Sequence, residues 1–289
     1  MSQGLTMVVC IKQVPDSAQI RVHPVTNTIM RQGVPTIINP YDLFALEQAL
    51  TLRDQLGGTV TVLTMGPPMA ETSLRKALGH GADRAILLTD RFFAGADTLA
   101  TSFALTAAIQ KIHAETPVDV VFTGKQTIDG DTAQVGPGIA RRMGISQLTY
   151  VSAIPAIDKG AGEITAHRRA EGGVQVLKTK LPCLVTMLEG TNELRRGSLP
   201  DVLRAERAEI TTWNAAAAGI EDVTKCGLKG SPTKVSKVFA PKPRSERAAM
   251  IDPADATPAG IAKAAVDVLF EADPALPGVI ARQTATSAA

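Results

Sequence analysis

The chain of 289 residues predicts an α/β fold: a largely parallel sheet covered by helices on both faces, with an antiparallel extension. Three observations carry this. Short apolar runs, TMVVCI, TVTVLT, AILLT and VDVVF, read as strands buried on both faces. Segments with helical apolar spacing separate them, which is the alternation of a parallel sheet. Past residue 150 the rhythm changes to strand signals joined only by short turns.

Taken in order, residues 7–11 form a buried first strand, and 13–36 is a polar, turn-rich stretch with room for a short hairpin. Asn39 before Pro40, with Asp42 three positions on, reads as a helix cap with proline in the first turn; Leu43, Leu46 and Leu50 give that helix its core face. Gly57 and Gly58 stop it. A second strand follows at 59–64, a short helix at 69–78, a third strand at 85–89, a longer helix at 97–114 and a fourth strand at 118–122. Strand signals then fall at 150–155, 163–169, 174–180 and 183–188, with turns at 159–162 and 171–173. Ser198 and Asp201 set the cap and third position of a short helix at 199–208. From Thr211 the chain reads as extended, GSPTKVSKVFAPKPR (230–244) included, and a late helix is predicted at 257–271 with Pro258 at its start. The division expected is a nucleotide-binding α/β domain over residues 1–210 and a C-terminal arm with a helix over 211–289. An isolated helix on such an arm buries its apolar face only by docking, on a partner or back on the first domain.

Composition narrows the function. Net charge is +2, with both signs interspersed, and aromatics are 3%; neither the charge footprint nor the stacking surface of a nucleic-acid binder is present. Cys10, Cys183 and Cys226 have no metal or redox spacing, which favours a reducing compartment. No run approaches about 18 apolar residues and no signal-peptide pattern opens the chain. A cytoplasmic protein without a transmembrane segment is expected, reaching a membrane only through partners. His23, His80, His113 and His167 lack metal-ligand spacing, and there is no nucleophile elbow or Walker loop, so no complete catalytic set is read.

The most informative stretch is TGKQTIDGDTAQVGP, residues 123–137. It lies between a strand signal and a helix signal, where open α/β sheets bind ligands and where helix-end amides hold phosphate. Asp131 is expected to cap a helix starting at Thr132, with Gln134 at its third position. Gly130 permits a tight turn and Gly136 a close approach. Asp129 and Asp131 repel phosphate, so they are expected to face ribose, amides or partner residues. A nucleotide cradle and a merely capped turn both remain open. Lys12, Gly66 and residues 95–98 also fall after strands, supporting a shared cleft, although Asp97 serves equally as a helix cap, Lys12 as a surface lysine and Met65 as core.

VVCIKQVPD, NPYDLFALEQAL, TMGPPMAE, GADRAILLTDRFFAGADTLAT and VFTGKQTIDGDTAQVGP together resemble the beta subunit of electron-transfer flavoprotein. AHRRAEGGVQVLKTKLPCLVTM and EGTNELRRGSLPDVLRA continue the resemblance to about residue 208. It implies an adenine-nucleotide-alpha-hydrolase-like sheet, a C-terminal partner-docking arm contributing to a domain shared with the alpha subunit, and a beta-side nucleotide that is AMP in ordinary members and a second FAD in bifurcating ones. FAGADTLAT and GSPTKVSKVFAPKPR are similar to the bifurcating, nitrogen-fixation-associated branch. That branch implies NADH as electron donor, a quinone-linked high-potential acceptor reached through quinone-reductase partner proteins, and ferredoxin or flavodoxin as low-potential acceptor.

Carried onto this chain, the resemblance implies that Lys12, Asn39, Asp42, Met65 and Gly66 line the cleft. Gly124, Lys125 and Gln126, then Asp129, Gly130, Asp131, Thr132, Ala133, Gln134, Val135 and Gly136, would surround ribose and pyrophosphate. Phe93, Gly95, Asp97 and Thr98 would serve the part of FAD beyond AMP. Leu199 would be the apolar anchor of a partner-recognition loop. RAERAE at 204–209 stands where the ordinary form has more lysines, so partner choice is expected to differ.

Overall fold

The computed structural model describes residues 4–16, 21–22, 29–30, 35–234, 236, 251 and 257–287. Chain order begins with β1 (Leu5–Cys10), β2 (Gln13–Pro15), β3 (Arg21–Val22), β4 (Ile29–Met30), β5 (Thr36–Ile38), α1 (Pro40–Leu56) and β6 (Gly58–Met65). It continues with α2 (Glu71–Gly79), β7 (Arg84–Leu88), α3 (Thr98–Glu115), β8 (Val120–Gly124) and α4 (Val135–Met143). Then come β9 (Ser146–Asp158), β10 (Glu163–Ala170), β11 (Gly173–Lys180), β12 (Cys183–Met187), α5 (Leu199–Arg207) and β13 (Thr211–Trp213). Last are α6 (Pro258–Ala272) and α7 (Leu276–Ser287).

One nine-stranded sheet runs β11-β10-β9-β12-β8-β1-β6-β7-β13. From β9 through β13 every pairing is parallel, and β10 and β11 add the antiparallel extension. The apolar runs are continuous because both faces are buried. Met7 and Val9 of β1 pack with Leu46 of α1 and Leu74 of α2. Val8 and Cys10 pack on the other face with Ile109 of α3 and Ile139 of α4.

Three expectations change. β9 is longer than predicted and does not end at Pro155. The β9–β10 register shifts between Ala153 and Ala156, and a proline is tolerated at such a bulge because no ladder amide is needed there. The 13–36 hairpin is realised as two small pairings, β2 with β5 and β3 with β4; residues 17–20, 23–28 and 31–34 lie outside the described residues. The boundary at residue 210 falls too early. β13 pairs with β7, Trp213 is buried, and the compact unit extends over Met1–Ala240. Lys111 Nζ stands 4.4 Å from the Trp213 ring centroid. A three-residue edge strand carries too little pattern to be read locally.

The second unit, Pro241–Ala289, contains α6 and α7. Thr257 Oγ1 accepts from Gly260 N at 3.1 Å, capping α6, with Pro258 in the first turn. Of the 230–244 stretch, residues 235 and 237–244 lie outside the described residues.

Candidate functional site

β1 is where chain order reverses: β6 and β7 follow on one side, β8 and β12 on the other. Ligand crevices form at the carboxyl ends of strands at such a switch point. A cleft of about 1460 Å³ opens there. Of the twenty residues expected at a ligand, eighteen line it; Asn39 and Asp131 do not.

These two exceptions shape the cleft from outside. The Asn39 side chain does not cap α1. It is fully buried, its Nδ2 donating to Gln126 O at 2.9 Å and its Oδ1 accepting from Ile128 N at 3.1 Å. It thereby staples the loop 125–134 to the start of α1. Asp131 is not a helix cap either. Thr127 O accepts from both Gly130 N and Asp131 N, closing a turn that leaves Asp131 at φ 51° and Ala133 at φ 54°. These left-handed residues delay the helix until Val135, and Asp131 Oδ1 instead accepts from Gln126 Nε2 at 2.8 Å. Aspartate is among the few side chains that adopt this conformation readily.

Asp42 ties two strand ends together. Its Oδ2 accepts from Lys12 N at 2.8 Å and its Oδ1 from Gly124 N at 3.2 Å. Burial pushes its carboxyl up to about 7, outweighing the hydrogen bonds from Asn39 and the two amides. Close packing here requires Gly124: a Cβ would stand 2.5 Å from Asp42 Oδ1 and 2.6 Å from the Tyr41 carbonyl carbon.

Electrostatics at the mouth answers the expected phosphate repulsion. Lys12 Nζ lies 2.8 Å from both Asp129 oxygens. Burial opposes ionisation of Asp129, but the Lys12 and Thr127 hydrogen bonds hold its carboxyl below the usual range. The α4 amino terminus has no side-chain cap; the Gln134 Oε1 accepts instead from Thr98 Oγ1 at 2.8 Å. Val135 and Gly136 therefore bring uncapped first-turn amides to the cleft wall, a donor set suited to phosphate oxygens.

At the far end, Phe93 is mostly core and lines the cleft with only a small edge. Asp97 caps α3. Pro232 and Thr233 complete this wall; the resemblance singled out their segment, GSPTKVSKVFAPKPR, without placing either residue at the cleft, because their position depends on a fold-back across more than a hundred residues of chain. Cys10 and Thr89, also missed, were legible as strand ends. Burial pushes the Cys10 thiol up to about 12, which disfavours the thiolate that nucleophilic attack needs. A second cavity of about 510 Å³ behind the loop shares Lys125, Thr132 and Ala133 but reaches the carboxyl end of none of β1, β6 or β7. Leu199 begins α5 with 71% of its surface exposed, away from the cleft lining.

The described residues thus form an α/β protein with a cleft at the carboxyl ends of its parallel strands, walled in part by amides suited to phosphate oxygens. The electron transfer flavoprotein domain matches residues 26–218, and the chain belongs to that family. It is 69% identical over 271 residues to Protein FixA of Sinorhizobium fredii, covering 93% of this chain and 95% of that protein. It is 66% identical to Protein FixA of Azotobacter vinelandii, covering 96% and 98%. Against the electron transfer flavoprotein subunit beta of Clostridium acetobutylicum it is 49% identical, covering 81% and 87%. The chain thus resembles the beta subunit of that family and is most like its nitrogen-fixation-associated branch. Flavin use in general and a part in electron transfer within a flavoprotein complex follow from that membership. Among the described residues no helix is long and apolar enough to cross a membrane.

Proposed function

We propose that the chain is the beta subunit of an electron-bifurcating flavoprotein, paired with an electron-transfer flavoprotein alpha subunit. Its complex takes electrons from NADH and divides them between a quinone-linked high-potential acceptor and low-potential ferredoxin or flavodoxin. The sheet then works as an adenine-nucleotide-alpha-hydrolase-like nucleotide holder, and the C-terminal arm as the partner-docking element. The complex works in the cytoplasm and meets the membrane only through quinone-reductase partners.

The observation that carries this reading is the extent of the cleft. Its near half, from Lys12 to the α4 terminus, suits an adenosine phosphate. Beyond it the cleft continues along residues 93–98 to Thr233, and its volume of about 1460 Å³ exceeds the roughly 300–1,000 Å³ usual for small-molecule sites. A mononucleotide would leave that far half unused, whereas a dinucleotide such as FAD would have room to extend into it. A flavin there would supply hydride acceptance and release of electrons singly. The chain's own residues bind and orient: Val135 and Gly136 amides take phosphate, Lys12 balances negative charge, and Asn39 and Asp42 fix the loop and strand ends. Flavin and nucleotide counting on the copurified alpha/beta complex tests this. Two FAD per complex are expected. One FAD and one AMP would instead make it a non-bifurcating carrier with a structural beta-side nucleotide.

A further inference from the structure

We infer that Asp97 is a positioning residue whose carboxylate latches residues 226–233 as the far wall of the cleft, and that this latch lets the cleft retain an adenine dinucleotide rather than a mononucleotide alone. The inference rests on the nucleotide reading above.

A carboxylate has about four acceptor positions, and those of Asp97 are taken by protein. Oδ1 accepts from Leu99 N and Ala100 N, both at 3.0 Å. Oδ2 accepts from Thr233 Oγ1 at 2.7 Å and Thr233 N at 3.1 Å. Although burial opposes it, hydrogen bonds from Ala100 and Thr233 hold this carboxyl below its usual range. Nothing is left over for a ribose or flavin donor, so Asp97 acts through what it holds.

What it holds is a fold-back segment. The Asp97 backbone N–H donates to Ser231 Oγ at 2.8 Å, and that buried hydroxyl donates to Gly227 O at 2.7 Å. Leu228 N donates to Ala94 O at 3.0 Å. Gly227, at φ 51°, packs so closely that a Cβ would stand 2.2 Å from Phe92 O. Cys226 is buried in the core at the segment's start, leaving Asp97 and Ser231 to fix its other end, where Pro232 and Thr233 face the cleft. Among the described residues no hydrogen bond joins this segment to Lys12 or to the motif of residues 123–137; the nearest link is from Thr98, beside Asp97, to Gln134. An effect on the far wall is therefore expected to fall mainly on the dinucleotide.

The discriminating variant is Asp97→Asn. Asparagine caps a helix about as well as aspartate, so α3 keeps its Oδ1 acceptor, while an amide NH₂ in place of Oδ2 confronts the Thr233 backbone N–H; the Thr233 hydroxyl can turn to accept from it, so the charge-assisted pair of bonds is reduced to one neutral bond. Thr233→Val removes that hydroxyl without touching the cap, and Thr233→Ser restores it. The measurement is equilibrium binding of FAD and of AMP to the nucleotide-stripped full-length chain, with melting temperature alongside. Asp97→Asn should weaken FAD about tenfold, the scale of one charge-assisted hydrogen bond lost, and leave AMP within about twofold. Thr233→Val should shift FAD in the same direction and Thr233→Ser should recover it. Equal loss of both nucleotides, or unchanged FAD affinity in both Asp97→Asn and Thr233→Val, would overturn the latch while leaving the nucleotide reading intact. A wild-type chain that binds neither nucleotide would sink both together.

Discussion

Asp42 shows how one residue serves both fold and site. The ordinary aspartate value is 3.8, and burial lifts this one to about 7. Below pH 3.8 both folded and unfolded chains hold the proton, and the stabilising contribution is complete. Between those values the unfolded chain releases a proton that the fold keeps, so stability falls as pH rises through the window and levels above about 7. The lowered carboxyls of Glu47, Asp97 and Asp129 act with the opposite sign and at more acid pH. Asp42→Asn cannot ionise, and its amide faces one of two backbone donors, at a cost of about 1–3 kcal/mol. Denaturant unfolding from pH 5 to 7.5 should show the variant clearly weaker at pH 5, with the gap narrowing toward pH 7.5. A gap that stays constant would refute the raised carboxyl. Asp131 was legible as important but not in its role, because a capping pattern and a left-handed turn use the same residue types. Asp131→Ala places a Cβ without polar compensation at φ 51° and removes the acceptor for Gln126. Nucleotide binding should weaken by about 1 kcal/mol, and Asp131→Gly, which relieves the backbone, should lie closer to wild type.

At the scale of elements, the parallel strands were readable because burial on both faces leaves an uninterrupted apolar run. What lay beyond reading was pairing between distant segments. Pro155 signals an end in isolation, yet the bulge against β10 absorbs it. Asn39 has the composition of a cap, yet tertiary partners at Gln126 and Ile128 claim its side chain. The meeting of α1 and β8 is equally nonlocal, and Gly124 is its tightest point. Gly124→Ala forces a Cβ into Asp42 Oδ1 and the Tyr41 backbone; backbone cannot move aside as a flexible side chain would. We expect a loss of about 1–3 kcal/mol or more, visible as a lower melting temperature, together with weaker nucleotide binding since the same shift displaces Lys12 and the loop. A variant as stable as wild type would mean that the α1–β8 approach is looser than described.

At the scale of the molecule, the cleft and the exposed face of α5 are separate features of one unit. Leu199, Val202 and Leu203 stand exposed on α5, yet the helix itself is firmly held. Arg75 donates to the carbonyls of Ala205, Glu206 and Ala208 at its carboxyl end. Ahead of it, Arg195 binds the buried carboxylate of Glu47 through both backbone and guanidinium. A rigid helix presenting apolar side chains away from a ligand cleft suits docking of a partner protein. Leu199→Ser should therefore leave both nucleotide affinity and melting temperature unchanged within error, because the side chain loses no buried contact. Electron transfer from the alpha/beta complex to the proposed quinone-reductase partner should fall, with the loss expressed as weaker partner affinity rather than a slower maximal rate. If cleft and docking face are independent, combining Leu199→Ser with Asp97→Asn should give additive effects, as expected for sites without shared contacts. A double variant whose FAD affinity departs from that of Asp97→Asn alone would show that the two surfaces are coupled through the sheet.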